Sequence, residues 1–374
     1  MAFFKALALF LGTIIGAGIF GLPFVAKEAG FWVVFGYFCV FSAVTVYLYS
    51  LYGKVILASP ERSRLPGYAG RYLGKMAQNI AFFTVILGLA GSLLAYLVIG
   101  GGFLQKLLSP YLEAPEVFFY LLFFLPAAFL VFGEKSKGIA GAEILFLALL
   151  GFLLLAMLFF AAPLIQIKFF KGFEPVNIFI PYGVVIFSLS GSAVLPEAAG
   201  ILRGKKNAGK KLRNVILSGL IASSLIYLLF IFVTLGVSGS DTSRDAISGL
   251  EKFLGFKAAG LGYVLGVAAC FTSFLTLALV FRKTLQYDFG IKKNLSWVLA
   301  CFSPLLLLAL GLDQFINIIA FTGAIALGVE NIILIFLYRA FSGKNSFKSA
   351  LFLYFLAAIF VAGVIMELFY LSCY

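Results

Sequence analysis

The sequence contains no histidine and little charge. Only 11% of its 374 residues are Asp, Glu, Lys or Arg, whereas a soluble domain is about a quarter charged. The absence of histidine excludes Ser-His-Asp catalysis, histidine proton relays and histidine metal ligands. The four cysteines form no CxxC pair or metal spacing, so we interpret them as small apolar residues. Because no paired catalytic spacing is present, we expect no enzyme activity.

Apolar residues fill the chain instead. They make up 63% of it, and the mean hydropathy is +1.11. Many apolar runs are close to 20 residues long, the length at which a helix spans ~30 Å of hydrocarbon. The net charge of +13 would suggest nucleic acid in a soluble protein. Here, however, the basic residues lie in short segments between apolar runs, so the lipid bilayer is the expected environment and no nucleic-acid partner is expected.

The apolar runs predict an all-α membrane protein with eleven transmembrane helices. The predicted spans are residues 4–26, 30–57, 78–106, 116–133, 139–163, 177–201, 212–238, 256–281, 294–311, 314–338 and 347–371.

Basic residues indicate the orientation of the chain. With the N-terminus in the cytoplasm, 21 of the 28 Lys and Arg residues lie on the cytoplasmic side and 7 lie outside. This bias follows the positive-inside rule. Because eleven is an odd number, we predict a multi-pass protein of the cell membrane with its C-terminus outside.

One short pattern occurs in two helices of opposite direction. Residues 18–23 and 191–196 both read G-x-x-x-L-P, 173 positions apart. The pattern is typical of transporters built from inverted repeats. We therefore predict a single transmembrane domain with a five-plus-five repeat, formed by residues 1–165 and 175–340, and one extra helix at 345–374.

Small residues surround both copies of the pattern. They are Gly12, Gly16, Gly18 and Gly21 in helix 1, and Ser188, Ser190, Gly191 and Ser192 in helix 6. Glycine and proline weaken helices, and unwound backbone at membrane depth survives only where it lines a cavity or is buried in protein. We predict that helices 1 and 6 are broken and that their free amides and carbonyls bind a zwitterion. The alternative is close helix packing, since Gly12 and Gly16 also form a small-xxx-small pair.

The first helix resembles the signature of the amino acid–polyamine–organocation (APC) superfamily. The similar stretch is residues 12–23, GTIIGAGIFGLP. Within that superfamily the chain is most similar to the amino acid/auxin permease family, which typically has eleven helices and a third helix with Ala-Tyr before a glycine-rich stretch. Ala95, Tyr96 and the glycines at 100–102 fit that description.

The resemblance implies a substrate site. Backbone amides near Ala17 and Gly18 hold the substrate carboxylate, carbonyls of the helix 6 break hold its ammonium, and Tyr96 closes over it. An ordinary packed tyrosine is the alternative for Tyr96. The predicted substrate-binding residues are Gly16, Ala17, Gly18, Ile19, Tyr96, Phe187, Ser188, Ser190 and Gly191.

The resemblance also implies a cation site between helices 1 and 8. In sodium-coupled relatives, an Ala carbonyl and hydroxyls three and four residues later bind Na⁺ together with helix 1 carbonyls. The corresponding residues are Gly12, Ile15, Ala269, Thr272 and Ser273. The alternative is that these hydroxyls bond to carbonyls of their own helix. Some proton-coupled relatives have a Lys in helix 5, and the predicted helix 139–163 has none, so sodium is preferred and proton coupling stays open.

Besides Glu143, which is close enough to the cytoplasmic end of its predicted span to be solvated, two acidic residues within predicted spans are candidates for a function, Glu197 and Glu330. Carboxylates inside a membrane are costly and usually functional. We predict that both act in gating or protonation.

These features together predict a secondary active transporter that imports a neutral amino acid by cation symport and alternating access. An amino acid sensor with a transporter-like fold and a proton-coupled exchanger of another small amine are the alternatives. No Walker A motif is present, and no cofactor is expected apart from Na⁺ as a coupling ion.

Overall fold

Every secondary-structure element in the described part of the chain is helical. The computed structural model describes residues 2–59, 63–133, 151–152, 159, 161–170, 172–343 and 347–373. Its α-helices are α1 Ala2–Ile14, α2 Gly18–Ala29, α3 Phe31–Ala58, α4 Leu65–Leu73, α5 Lys75–Leu108, α6 Glu116–Phe132, α7 Pro181–Ser188, α8 Leu195–Leu202, α9 Ala208–Ser238, α10 Ile247–Phe289, α11 Lys293–Ala309, α12 Phe315–Phe321, α13 Gly328–Ser342 and α14 Phe347–Cys373.

The helices agree with the predicted all-α membrane class. Among the described residues, seven helical segments are long and apolar enough to cross a membrane, and the bent pair α1 and α2 makes an eighth. The predicted spans 116–133 and 294–311 correspond to the shorter apolar helices α6 and α11. The predicted span 139–163 falls largely outside the described residues, so the count of eleven stays a prediction.

The first predicted span is broken where the glycines lie. Helix α1 ends at Ile14, α2 begins at Gly18, and the two helices are bent by 49° relative to each other. At the break, the amide of Gly16 bonds to the Ile14 carbonyl oxygen at 3.0 Å. This short-range bond replaces a helical one, so the chain leaves the helical path within three residues.

The sixth predicted span is broken as well. Helix α7 ends at Ser188, and a single 3₁₀ turn, Ser192–Val194, precedes α8. Pro196 stands in the first turn of α8, where a missing N–H removes no helical bond. The expectation of two broken helices is therefore met in the backbone.

Two helical segments lie where the sequence predicts loops. Helix α4 follows α3 on the side of the membrane where α1 begins, which we call the N-terminal face. The long α10 starts nine residues before its predicted span, and its early part is set off by a kink at Gly255, where φ is +76°. Both segments mix polar and apolar residues. Their mean hydropathy is therefore too low for a transmembrane helix, which is why the sequence predicts loops there.

The broken helices lie at the centre of the bundle. Helices α5 and α10 pack together there and are mostly buried, whereas α3 and α14 leave most of their surface exposed to the membrane environment. The segment Phe315–Ser342 contains a π-helical turn, Thr322–Leu327, between α12 and α13. This turn packs against α5 and α7, beside the helix 6 break.

Candidate substrate and cation sites

The two helix breaks meet, and one tyrosine joins them. The hydroxyl of Tyr227 in α9 lies 2.6 Å from the Ile14 carbonyl oxygen and 3.0 Å from the Ser188 carbonyl oxygen. These are the last residues of α1 and α7. The hydroxyl, which is buried, therefore shares its one proton between the carbonyl ends of both half-helices.

Glycines allow the breaks to approach each other closely. A Cβ atom on Gly18 would lie 2.5 Å from Ser188 Oγ and 3.0 Å from Ser188 Cα. A Cβ atom on Gly191 would lie 2.6 Å from the ring of Phe10 in α1. Real Cβ atoms do not come so near to other atoms, so any side chain at these two positions would push the breaks apart.

The break in helix 1 has free backbone amides, the groups predicted to bind the substrate carboxylate. The first N–H groups of α2, beginning at Gly18 and Ile19, have no intrahelical acceptor and lie at its positive dipole end. The predicted carbonyls of helix 6 are partly engaged. The Phe187 carbonyl accepts from the Ser190 amide at 3.1 Å, and that of Ser188 accepts from Tyr227. The Ser188 carbonyl oxygen keeps a second lone pair for an ammonium.

A small central cavity lies between the breaks, α5, α10 and α13. Its volume is about 30 Å³, about the share of one water in the liquid. The residues that line it are Thr13, Ile14, Val85, Gly88, Leu89, Ser92, Tyr96, Phe187, Ser190, Gly191, Ala193, Leu277, Leu327 and Glu330. Four of the nine predicted substrate residues are among them, namely Tyr96, Phe187, Ser190 and Gly191.

Tyr96 stands against the helix 1 break. A Cβ atom on Gly16 would lie 2.7 Å from Tyr96 Cε1 and 3.1 Å from Ser273 Oγ. The structure therefore brings α5 and α10 together at Gly16, as the predicted site requires. Ala17 and Ile19 are buried at the same break but do not line the cavity.

The predicted cation ligands are only partly assembled. Ser273 Oγ donates to the Gly12 carbonyl oxygen at 3.1 Å, which links α10 to α1. Thr272 Oγ1 instead donates to the Ala269 carbonyl oxygen of its own helix at 3.2 Å. If the two hydroxyl groups turned their protons away from these carbonyls, a cation would find oxygen ligands on both helices, which suit a hard cation.

Glu197 forms an ion pair at the N-terminal face. Arg64 Nη1 donates to Glu197 Oε2 at 2.8 Å, and a second bond from Nη2 makes the pair bidentate. The Arg64 amide donates to Asp288 Oδ1 in α10 at 3.1 Å. The loop before α4 is thus fastened to α8 and α10. Arg64 and Glu197 border a cavity of about 630 Å³, which we call the vestibule.

Glu330 reaches the break in helix 6. Ser192 Oγ donates to Glu330 Oε1 at 3.0 Å, and the Gly191 amide donates to the Tyr49 hydroxyl oxygen at 3.1 Å. The carboxyl group is buried, with 7% of the residue exposed. The unwound residues of helix 6 are therefore held by side chains from α3 and α13.

An aromatic cluster closes the opposite face. The rings of Phe20 in α2 and Phe103 in α5 meet edge to face at 4.9 Å, and Phe103 also contacts Tyr263 in α10 at 5.5 Å. Tyr263 Oη donates to Glu251 Oε2 at 2.6 Å, which ties the cluster to the short helical segment before Gly255. The central cavity is thereby covered on this side by packed rings.

Three residues at the site were not predicted. Tyr227, Tyr49 and Arg64 all bond to the breaks or to Glu197, yet their sequence surroundings are ordinary. With 17 tyrosines in the chain, no local pattern distinguishes two of them. Arg64 lies in a basic loop, and basic loops indicate membrane orientation rather than a specific partner.

Comparisons with known proteins agree with this architecture. The model of the tryptophan/tyrosine permease family matches residues 1–369. Glutamine transporter 2 of Aliivibrio fischeri (strain ATCC 700601 / ES114) is 22% identical over 326 residues, which are 84% of this chain and 82% of that protein.

Two solved structures show the same fold. MhsT in complex with L-phenylalanine aligns with a TM-score of 0.70 at 18% identity, covering 99% of this chain and 98% of the other. The nucleobase-cation-symport-1 transporter Mhp1, closed with bromovinylhydantoin bound, aligns with a TM-score of 0.66 at 15% identity, covering 98% and 90%. The predicted APC resemblance is confirmed as an APC-like transporter fold, while the assignment to the amino acid/auxin permease family stays a prediction.

Proposed function

This chain belongs to the tryptophan/tyrosine permease family, and we propose that it imports a neutral amino acid with a large aromatic side chain. It is a multi-pass membrane protein and an amino acid transporter, not an enzyme. The aromatic side chain, the coupling cation and the direction of transport are the proposed parts.

The contact between the two breaks supports this proposal most strongly. Gly18 packs directly on Ser188, and Tyr227 bonds to the carbonyls of Ile14 and Ser188. The amides of the helix 1 break therefore lie next to the helix 6 break, and Phe187, Ser190 and Gly191 of that second break line the central cavity. An amino acid has a carboxylate and an ammonium two bonds apart, and this pair of backbone groups is complementary to both.

The lining of the cavity favours a large side chain. Gly88, Ser92 and Ala193 are small, while Val85 and Leu89 supply apolar contacts. A wall of small residues leaves room for a ring once the helices separate. The family name and L-phenylalanine in the MhsT complex point to aromatic side chains, whereas the relative from Aliivibrio fischeri is named for glutamine.

Sodium is the proposed coupling ion, bound by Gly12, Ile15, Ala269, Thr272 and Ser273. The hydrogen bond from Ser273 to Gly12 supports it, since it joins the two helices that would share the ion. A proton is the second candidate, and the buried carboxyl group of Glu330 supports that possibility.

The proposed cycle is alternating access in the cell membrane. With the N-terminus in the cytoplasm, the vestibule is the inner opening and the aromatic cluster is the outer seal. Residues 1–165 and 175–340 would form the inverted repeats that rock against each other, and residues 345–374 would add a peripheral helix. Glu197 would serve the inner gate.

Counterflow in proteoliposomes tests the transport proposal. Vesicles loaded with L-tryptophan should take up labelled L-tryptophan, and external L-tyrosine should compete with it. Absence of saturable exchange with any amino acid would refute transport by this chain. Binding without exchange would support the alternative of a sensor.

Substitution of the two hydroxyls tests the ion. We expect Ser273→Ala to abolish sodium-dependent uptake, and Thr272→Ala to weaken it less, because only Ser273 contacts α1. If uptake by the unmodified protein depended on a proton gradient and not on sodium, the coupling ion would be the proton.

A further inference from the structure

The central cavity has one charged group on an otherwise apolar or weakly polar wall. Among the described residues that line it, Glu330 alone carries a charge, and Val85, Leu89, Leu277 and Leu327 surround the same space. A carboxyl group in such surroundings loses its hydration and has to be compensated by hydrogen bonds.

The carboxyl group of Glu330 is only half satisfied. Its Oε1 atom accepts the bond from Ser192 Oγ at 3.0 Å. Its Oε2 atom has no hydrogen-bond partner within the described ranges, although 93% of the residue is removed from solvent. The free oxygen is therefore an acceptor at the wall of the cavity.

Two other polar side chains of the wall, Thr13 and Ser92, use their protons within their own helices. Thr13 Oγ1 donates to the Leu9 carbonyl oxygen at 2.8 Å, and Ser92 Oγ donates to the Gly88 carbonyl oxygen at 2.7 Å. Neither bond compensates the carboxyl group. A molecule that fills the cavity can therefore supply a donor to Glu330 Oε2.

The shape of the cavity sets which end of a substrate reaches Glu330. Its polar backbone groups lie at the breaks near Tyr96, and its wall continues along α5 to Gly88 and Val85. Gly88 precedes Tyr96 by eight residues, a distance of about 12 Å along a helix. An amino acid held by its backbone groups at the breaks would extend its side chain along this wall.

We propose that Glu330 accepts a hydrogen bond from the tip of the substrate side chain and so selects amino acids with a donor there. This inference rests on the proposed function and deepens it. The favoured class comprises side chains with an indole N–H, a phenol O–H or an amide N–H. A carboxyl oxygen accepts such a bond in either protonation state, so the selection does not depend on the coupling ion.

A buried acceptor discriminates between ligands because a ligand without a donor leaves the acceptor without a hydrogen bond. Sites built to bond a substrate O–H or N–H reject an analogue without it far more strongly than an apolar pocket rejects a missing methylene. L-tyrosine should therefore bind more tightly than L-phenylalanine, and L-tryptophan more tightly than 1-methyl-L-tryptophan, by at least about tenfold each.

Competition binding on the full chain in nanodiscs tests the proposal. Labelled L-tryptophan is displaced by each of the four ligands, for the unmodified protein and for Glu330→Gln and Glu330→Met. Glutamine keeps an accepting oxygen, so Glu330→Gln should retain most of the discrimination. In Glu330→Met both affinity ratios should fall to within about twofold of one. Glu28→Met, which removes a partly exposed carboxyl group that does not line this cavity, is the matched control and should keep both ratios.

The outcomes separate this inference from the function on which it rests. Failure of the unmodified protein to bind any of the four ligands contradicts the proposed function. If the unmodified protein binds the ligands tightly but both affinity ratios are near one, only the role of Glu330 is overturned. This outcome does not depend on whether a variant folds. Ratios that survive in Glu330→Met overturn that role too, and assign the selection to another residue.

Discussion

The chain closes the two sides of its central site by different kinds of contact. At the N-terminal face, Arg64 holds Glu197 with two charge-assisted bonds, and a vestibule of about 630 Å³ lies beside them. At the opposite face, the ring of Phe20 meets that of Phe103 edge to face, and Phe103 packs against the tilted ring of Tyr263. One closure is polar and adjoins a cavity, and the other is apolar and filled.

The difference indicates how each side opens. Arg64 and Glu197 can replace their bonds to each other by bonds to water at a modest net cost in free energy, because the vestibule beside them already has space for solvent. Separating packed rings exposes apolar surface and loses contacts all at once. We call the Arg64–Glu197 pair the polar gate and the Phe20, Phe103 and Tyr263 cluster the aromatic gate. We therefore expect the polar gate to open gradually and the aromatic gate to open as a unit.

The junction between the two gates gives the largest expected effect. In Gly18→Val, the new side chain would collide with Ser188 and separate the breaks. We expect counterflow to fall at least about 100-fold, because overpacking at this point distorts both halves of the site. Gly36→Val is the control, since Gly36 faces open space. Normal counterflow by Gly18→Val would mean that close contact of the breaks is dispensable.

At the polar gate, Glu197→Gln should favour the open vestibule. Loss of the charge weakens the bonds to Arg64, and a change of about 2 kcal/mol corresponds to roughly 30-fold in the gate equilibrium. Labelling of an Ile201→Cys probe by a charged maleimide, with Cys39 and Cys373 changed to Ser, should accelerate accordingly. Glu28→Gln disrupts the partly exposed pair with Lys27 and should leave labelling unchanged. An unchanged rate in Glu197→Gln would show that the ion pair is not the gate.

At the aromatic gate, Phe103→Ala should admit reagent from the opposite face. Removal of a buried ring leaves a cavity beside Tyr263 and Gly266, and the buried Cys270 lies one turn further along α10. We expect Cys270 labelling to rise roughly tenfold in a chain without its other cysteines. Phe83→Ala removes an exposed ring from the same helix and should have no effect. Protection of Cys270 in Phe103→Ala would place the seal elsewhere.

Tyr227→Phe should give the smallest effect and should act on both gates alike. The substitution removes one hydroxyl that bonds to both Ile14 and Ser188, and we expect roughly a fivefold loss of substrate affinity. Tyr111→Phe, at an exposed position, is the control. If labelling changed at only one gate, the hydroxyl would serve one break rather than both.

The breaks were predictable because their cause is local. Glycines at 16, 18 and 191 weaken a helix wherever it packs, so the local sequence indicates where helices 1 and 6 unwind. The predicted cation site stays a prediction, because a hydroxyl such as that of Thr272 can bond to its own helix instead of to an ion. Spacing along one helix does not decide between these partners.

The sequence by itself determined the membrane environment, the helical class and the two breaks, since hydrophobic length and backbone preference act over a few residues. Only the tertiary structure decided that Tyr227 joins both breaks, that Arg64 pairs with Glu197, and that Glu330 bonds to Ser192 beside the cavity. These partners lie more than 100 positions apart in every case but that of Tyr227 and Ser188. Contacts of that kind depend on how the helices pack, and no short stretch of sequence records the packing.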